Sequence, residues 1–561
     1  MKKQYIQYNP PLLLNIILFI TPFLCGLYYE WQSCLVTVAL SVFLCSHLII
    51  TKKITVRFSL SFIAVLLIVS MYGINTFWAV DSGMALLGLV KFLPLILFAL
   101  LLMQVTNEQR SASLQMICPA GVSMTLLSFL LSQIPAIRDY FMVNGRLSGF
   151  FQYPNTYALF LLLGVLVLMQ SEKWDIKSTV YLFILVAGIL LSGSRAVFVI
   201  FVIAVAGVNI TALITKKKNA SLPVGIITLL CILAVMAYAA LAGGLSGPGR
   251  FLTSSLESST FLGRLLYYKD ALPVILRSPF GMGYMGYYFT QGTFQTGVYS
   301  VVHIHNDILQ LMLDTGWAPA LFFVFALAKS FFRGRTVVIQ KLLLACILAH
   351  CLIDFDLQFI SIFFVLLLSM DWSDGKEYTF SSKRAGALVL SPVICLSLFF
   401  GAANAAYIFG NAELALSVYP AYTFAQLDML VNANDIKEAN YHAEKIIRHN
   451  KNSSLAYSTK ARIAFSEGNF EEMILNKERA IELTRYSLPE YLDYFDMLLA
   501  GISLYTDVND SHSANYCKER LLAIPAMLDE VLQSTDPLAW RITDKPGLEL
   551  PERYVKAIGN L

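Results

Sequence analysis

The sequence predicts an all-α, polytopic membrane protein followed by a soluble helical tail, and three observations carry that prediction. The 561 residues are 57% hydrophobic and only 14% charged, with a mean hydropathy of +0.64. Soluble globular chains are about 45–50% apolar and about 25% charged, so the excess must face lipid. Apolar stretches approaching the roughly 20 residues needed to cross a bilayer recur as far as residue 408. From about Asn411 the chain turns charged, with helical periodicity.

Reading the apolar runs in order places spans near 11–28, 34–50, 58–77, 84–106, 114–132, 155–170, 178–193, 196–215, 222–245, 308–328, 336–353, 358–371 and 385–408. That is about 12–13 crossings, some short enough to need a thinned bilayer. The first run follows Lys2 and Lys3, lacks a small-residue cleavage site and is followed at once by further spans, which reads as a signal anchor. The domain expectation is a membrane part over 1–410, with its largest loop at about 246–307, and a soluble part over 411–561.

Orientation follows the basic loops. Lys2/Lys3, Lys52/Lys53/Arg57, Arg110, Lys173/Lys177, Lys216/Lys217/Lys218, Lys329/Arg333/Arg335 and Lys376/Lys383/Arg384 fall in alternate loops, which reads them as cytoplasmic. An odd number of spans then puts the N-terminus inside and the tail outside. Arg138, Arg146, Arg195 and the segment from Ser246 to Asn306 break the bias by placing basic residues on the outer side. Together they point to an anion site.

Composition excludes several functions. A net charge of +4, scattered along the chain, does not suit nucleic acid. The nine cysteines form no CxxC pair or Cys/His cluster, so neither a disulfide framework nor a zinc site is indicated. In the tail, two segments align at an offset of 34 residues. Gly468, Phe470 and Met473 in one match Asn434, Ile436 and Ala439 in the other, with Ala480 in the second helix, and the pattern fits tetratricopeptide-like units that stack on one another. Such a tail would bind a protein partner or pack on the membrane part.

The residues suited to chemistry gather on the outer side. In STFLGRLLYYKDALP, Ser259 and Thr260 are plausible caps. Leu262, Leu265, Leu266, Leu272 and Ile275 make an apolar face for a helix lying on the membrane, and Arg264 sits within it. The glycines at 281, 283 and 286 form a turn that lacks the P-loop pattern. In HIHNDILQLMLDTG a helix beginning near Asn306 aims His305 and its first N–H groups at the loop. His303 and His305 read as a metal pair with Asp307, as structural histidines, or as groups that move a proton or touch substrate. RLSGFFQYPN puts Arg146 and Asn155 at the outer surface, and SGSRA puts Arg195 at membrane depth, where an unpaired charge is costly. Lys91 is similar, unless it snorkels. Asp354 and Asp356 read as a polar loop with an ion pair to Arg195 open to them.

RLSGFFQYPN, SGSRA, GRLLYYKDALP, PFGMG and HIHNDILQLMLDTG, in that order over residues 80–370, resemble the O-antigen ligase and polymerase superfamily. The resemblance implies an enzyme of the bacterial cytoplasmic membrane that moves a glycan from a polyprenyl-diphosphate donor to a glycan, lipid or protein acceptor, without metal, nucleotide or other cofactor. It assigns catalysis to Arg195, Arg264 and His305, and leaves Arg146, Asn155, His303, Asn306 and Lys91 to contact substrate. A polymerase extending the glycan shares these motifs. A transporter of lipid or polysaccharide would show internal repeats and charges near the bilayer midplane, and the sequence shows neither.

Overall fold

The computed structural model describes residues 9–170, 174–214 and 259–561, with four single positions between the last two stretches. The span read at 222–245, the basic residues Lys2, Lys3, Lys173 and Lys216–Lys218, and the start of the large loop lie outside the described residues.

The described chain is a helical membrane protein. Five helical segments are long and apolar enough to cross a bilayer: Glu30–Thr51, Leu60–Phe77, Ser82–Leu102, Asn107–Leu131 and Lys383–Ile408. Six shorter apolar helices accompany them: Pro10–Phe23, Pro154–Met169, Ile176–Ser192, Arg195–Val208, Trp317–Phe332 and Val338–Cys351. The helix Pro154–Met169 is apolar all round, and every residue of it but Asn155 is buried. A helix with no polar face belongs at the centre of a bundle, and this one packs against Asn107–Leu131, Ile176–Ser192, Arg195–Ile214 and Val338–Cys351.

Two of the apolar runs differ from the sequence reading. The run at 358–371 contains only the nine-residue helix Ile360–Leu368, wholly buried. At about 1.5 Å per residue it is too short to cross, and it serves as a core helix. The run at 308–328 is two helices, Asp307–Thr315 and Trp317–Phe332, broken at Gly316. Gly316 has φ +95°, and a Cβ there would lie 2.2 Å from the Pro279 carbonyl oxygen. Gly281 mirrors it, with φ +77° and a virtual Cβ 2.5 Å from the Asp314 oxygen. Met282 N–H donates to Leu313 O at 2.6 Å and Gly283 N–H to Asp314 O at 3.1 Å, so the glycine turn clasps the helix break. These glycines permit close approach of backbone to backbone; apolar composition alone gave no sign of the break.

At one end of the bundle the loops carrying Lys52, Arg57, Arg110, Lys329 and Arg335 are tied together. Strands Ile54–Arg57 and Glu377–Phe380 pair antiparallel, Arg57 and Lys329 form ion pairs with Glu377 and Asp374, and Thr55 N–H donates to Gln104 Oε1 at 3.1 Å. At the other end lies the helix Ser259–Arg277. It buries Leu262, Leu266, Ala271 and Ile275 and leaves Phe261, Leu265, Leu272 and Leu276 open. The face read as one apolar stripe is therefore two, one against protein and one free for lipid.

The tail continues as packed helices, among them Ile436–His449, Ser454–Ser466, Phe470–Leu483, Leu488–Asp507 and Ser511–Gln533, each against its neighbour. Gly468 makes the turn at φ +74°, and Asn469 caps the helix that begins at Phe470. Its core includes Phe470, Met473, Tyr494, Leu498 and Leu521. The fully buried Lys477 ammonium bonds Glu490 at 2.6 Å and Asp493 at 2.5 Å, joining two helices. The tail is also fixed to the membrane part. Asn450 Nδ2 donates to Asp81 at 3.0 Å, Asp536 N–H donates to Thr296 O at 2.9 Å, and Lys269 pairs with Asp536. Ser259, read as a cap, instead accepts from Thr543 N–H at 2.8 Å.

Gly316→Ala should destabilise the purified protein by about 1–3 kcal/mol, the usual cost of overpacking. Gly559→Ala, where nothing lies within 4 Å of a Cβ, is the control. Equal thermal midpoints for the two variants would contradict this account of the helix break.

Candidate functional site

Four segments far apart in sequence converge on the Asp354 carboxylate, which is 1% exposed. Asp354 follows the helix Val338–Cys351 in a loop. It accepts from Tyr153 Oη at 2.7 Å, Asn155 Nδ2 at 2.7 Å, its neighbour Phe355 N–H at 3.0 Å, His305 Nδ1 at 3.2 Å and Arg264 Nη2 at 3.4 Å. Burial opposes ionisation here. The His305 hydrogen bond and the Arg264 charge outweigh it and hold the carboxyl well below the usual carboxylate range. Asp354 was read from sequence as a loop acid open to Arg195; its ion pair is with Arg264.

His305 stands just before the helix Asp307–Thr315 with φ +57°, a region few side chains adopt. Tyr268 Oη donates to its carbonyl oxygen at 2.5 Å, and Asn306 beside it is fastened at both ends. Asn306 Oδ1 accepts from Ile308 and Leu309 N–H at 3.1 and 3.0 Å, and Nδ2 donates to Leu352 O at 2.9 Å. Asn306 thus caps the helix and ties it to the Asp354 loop, using its Oδ1 and one of its two Nδ2 hydrogens. A carboxylate can only accept, so the Asp354 contact calls for a proton on His305 Nδ1, and Arg264 Nη2 lies 3.5 Å from the same nitrogen.

Arg264 reaches the cluster from the helix Ser259–Arg277, with its side chain 16% exposed. Burial lowers its basicity, and Asp354 more than restores it. Its Nε is buried without a hydrogen-bond partner, so the guanidinium arrives with donors unspent. Arg146 extends the network: Nη2 donates to Asn155 Oδ1 at 2.6 Å, and Nε to Ser192 O at 2.7 Å. Ser192 belongs to the turn, made by Gly193 at φ +60°, from which Arg195 opens the next helix. The SGSRA turn is thereby linked, through Arg146 and Asn155, to Asp354, His305 and Arg264.

Two residues expected to touch substrate sit elsewhere. Lys91 is 1% exposed, its ammonium 3.1 Å from Tyr284 Oη, and Tyr284 donates to Glu30 at 2.5 Å. The Lys91 ammonium lies inside the bundle over the Tyr28 and Tyr284 rings, 4.7 and 5.3 Å from their centroids. His303 is 4% exposed, with Nε2 3.3 Å from Tyr28 Oη. Burial first, then Lys91 and His305, push its pKa well below the ordinary histidine value. Both histidines pack on Phe355, with ring centroids 5.1 and 5.0 Å away. Asp307 turns from His305 to accept Leu357 N–H at 3.0 Å. Among the described residues the group with metal-like spacing is instead Asp307, Cys351 and Asp356, all buried. Asp356 is occupied there by His350 at 2.5 Å and Thr156 at 2.7 Å.

Sequence reasoning passed over Asp354 as a partner, Tyr153 and Tyr268. The DxD triplet and the tyrosines beside both motifs were the available signals, but their pairing depends on how the helices pack.

The fold and this cluster define a polytopic helical membrane protein with a histidine–aspartate–arginine centre at one end of its bundle. A family model described as O-antigen ligase matches residues 180–324, about a quarter of the chain and the segment that carries Arg195, Arg264 and His305. No curated protein and no solved structure matches the chain.

Asp354→Asn, which keeps the side chain's shape and loses its charge, should lower stability, misdirect His305 and weaken the hold on Arg264. Transfer activity should fall on the order of 10²–10⁴-fold, as when the carboxylate behind a catalytic histidine is neutralised. Activity within about twofold of the parent would remove Asp354 from the site.

Proposed function

We propose that this chain is a membrane glycosyltransferase of the O-antigen ligase type. It transfers a glycan from a polyprenyl-diphosphate donor to an acceptor hydroxyl on the outer face of the bacterial cytoplasmic membrane. The observation that carries this reading is the His305–Asp354–Arg264 cluster, tied to the SGSRA turn through Arg146 and Asn155.

The chemistry follows from the geometry. A lipid diphosphate is anionic and arrives from the bilayer, and guanidinium forks match phosphate oxygens. Arg264 and Arg195 bind the diphosphate. His305 Nε2 takes the acceptor's hydroxyl proton while Nδ1–H stays on Asp354. The acceptor oxygen bonds to the anomeric carbon as the carbon–oxygen bond to the phosphate breaks. The leaving diphosphate gains charge in that transition state, so the arginines act more strongly there than on the bound donor. A single displacement inverts the anomeric centre and uses no metal.

Orientation rests on the gathering of Lys52, Arg57, Arg110, Lys329 and Arg335 at the end opposite the cluster, which the positive-inside bias assigns to the cytoplasm. A cysteine at Ser454 should then react with a membrane-impermeant thiol reagent in intact cells, and one at Lys376 should not. The reverse labelling would overturn the orientation.

With purified protein and a lipid-linked glycan, His305→Ala should lower transfer on the order of 10²–10⁴-fold with donor binding nearly intact. Arg264→Lys, which keeps the charge and loses the fork, should still impair turnover. An unchanged rate in His305→Ala would exclude the histidine as base.

A further inference from the structure

A groove of about 540 Å³ opens where the tail meets the large loop. One wall comes from the loop, with Tyr288, Gln295 and Tyr299, and the other from the tail, with Asn452, Ser454 and Tyr486. Asp544 is the single carboxylate on its lining, and among the described lining residues none is basic. The groove is held at fixed width. Gly292 on its floor lets the Leu483 carbonyl approach to where a Cβ would be 1.9 Å away, and Arg485 donates to Gln295 O.

The lining mixes Tyr288 and Tyr486 with Asn452, Ser454 and Thr484 and with apolar residues such as Leu455, and this mixture suits a ligand that is apolar on one face and hydroxylated around its edge. A sugar ring has that character. A phosphorylated or acidic ligand would need cations, and a lipid chain would need a continuous apolar trough. The groove also lies close to the reaction centre. The Tyr299 ring is 4.5 Å from Tyr267, centroid to centroid, and Tyr267 is 6.5 Å from His305. Two rings, Tyr299 and Tyr267, separate the groove from the proposed base.

We propose that this groove binds a neutral oligosaccharide, so that the tail serves as one half of a glycan-binding site beside His305. The inference rests on the glycosyltransferase reading and names the recognition surface for its glycan.

The test uses the full-length protein in detergent on an array of neutral and acidic oligosaccharides. Neutral glycans should be retained. Ser454→Trp, which fills the groove from a half-exposed position without removing a core contact, should weaken retention at least tenfold, and Tyr288→Ala should do the same. Arg264→Ala should abolish transfer and leave retention unchanged. In transfer assays, the substrate whose KM rises in Ser454→Trp identifies whether donor or acceptor glycan occupies the groove. No retention of neutral glycans, a preference for acidic ones, or retention unaffected by both groove variants would overturn the proposal. Transfer lost in Arg264→Ala with glycan retention indifferent to Ser454→Trp would sink the groove alone. Groove-dependent retention without detectable transfer by the parent protein would sink the enzymatic reading alone.

Discussion

A carboxylate buried at the end of a membrane bundle must be surrounded by donors or it will not stay ionised, and the arrangement of the site follows from how Asp354 meets that demand. Its five donors come from the start of the helix Pro154–Met169 and the residue before it, from the helix Ser259–Arg277, from the His305 turn and from its own loop. Each donor fixes a segment of chain. Tyr153 and Asn155 fix the entry to the central helix. Arg264 anchors the surface helix, and His305 sets the register of the helix that Asn306 caps. Removing the carboxylate would leave a buried guanidinium without its counter-ion, so stability and chemistry share one interaction.

Much of the membrane part was legible because lipid imposes a length and a polarity on each crossing. The runs at 34–50, 58–77, 114–132 and 385–408 emerge as long helices because nothing interrupts their apolar pattern. The runs at 308–328 and 358–371 misled for the same reason. Hydropathy does not register a backbone break at Gly316, nor distinguish a nine-residue core helix from a span. In the tail, Gly468 and Phe470 announced a turn and a helix start by their residue types, and both are found there.

The site was legible in its cations and obscure in its anion. Arg264, Arg146 and His305 stood out because basic and titratable groups at a bilayer rim oppose the topology bias and the cost of burial. Asp354 lies 49 residues from His305 and 90 from Arg264, across intervening helices, so no local spacing joins them. Lys91 and His303 were read from sequence as substrate contacts. Their partners Tyr284, Glu30 and Tyr28 turn them inward, and those partners too are brought by packing. Three-dimensional pairing separates the charges that join the Asp354 cluster from those that lie inside the bundle.

The account stands or falls on a single displacement driven by one base held on Asp354. The direct measurement is the anomeric configuration of the newly formed linkage, read by NMR from product made by purified protein with lipid-linked donor in chelator-treated buffer. Inversion relative to the donor, at an undiminished rate, is the predicted result. Retention of configuration would require a second displacement through a covalent intermediate, and would contradict the mechanism.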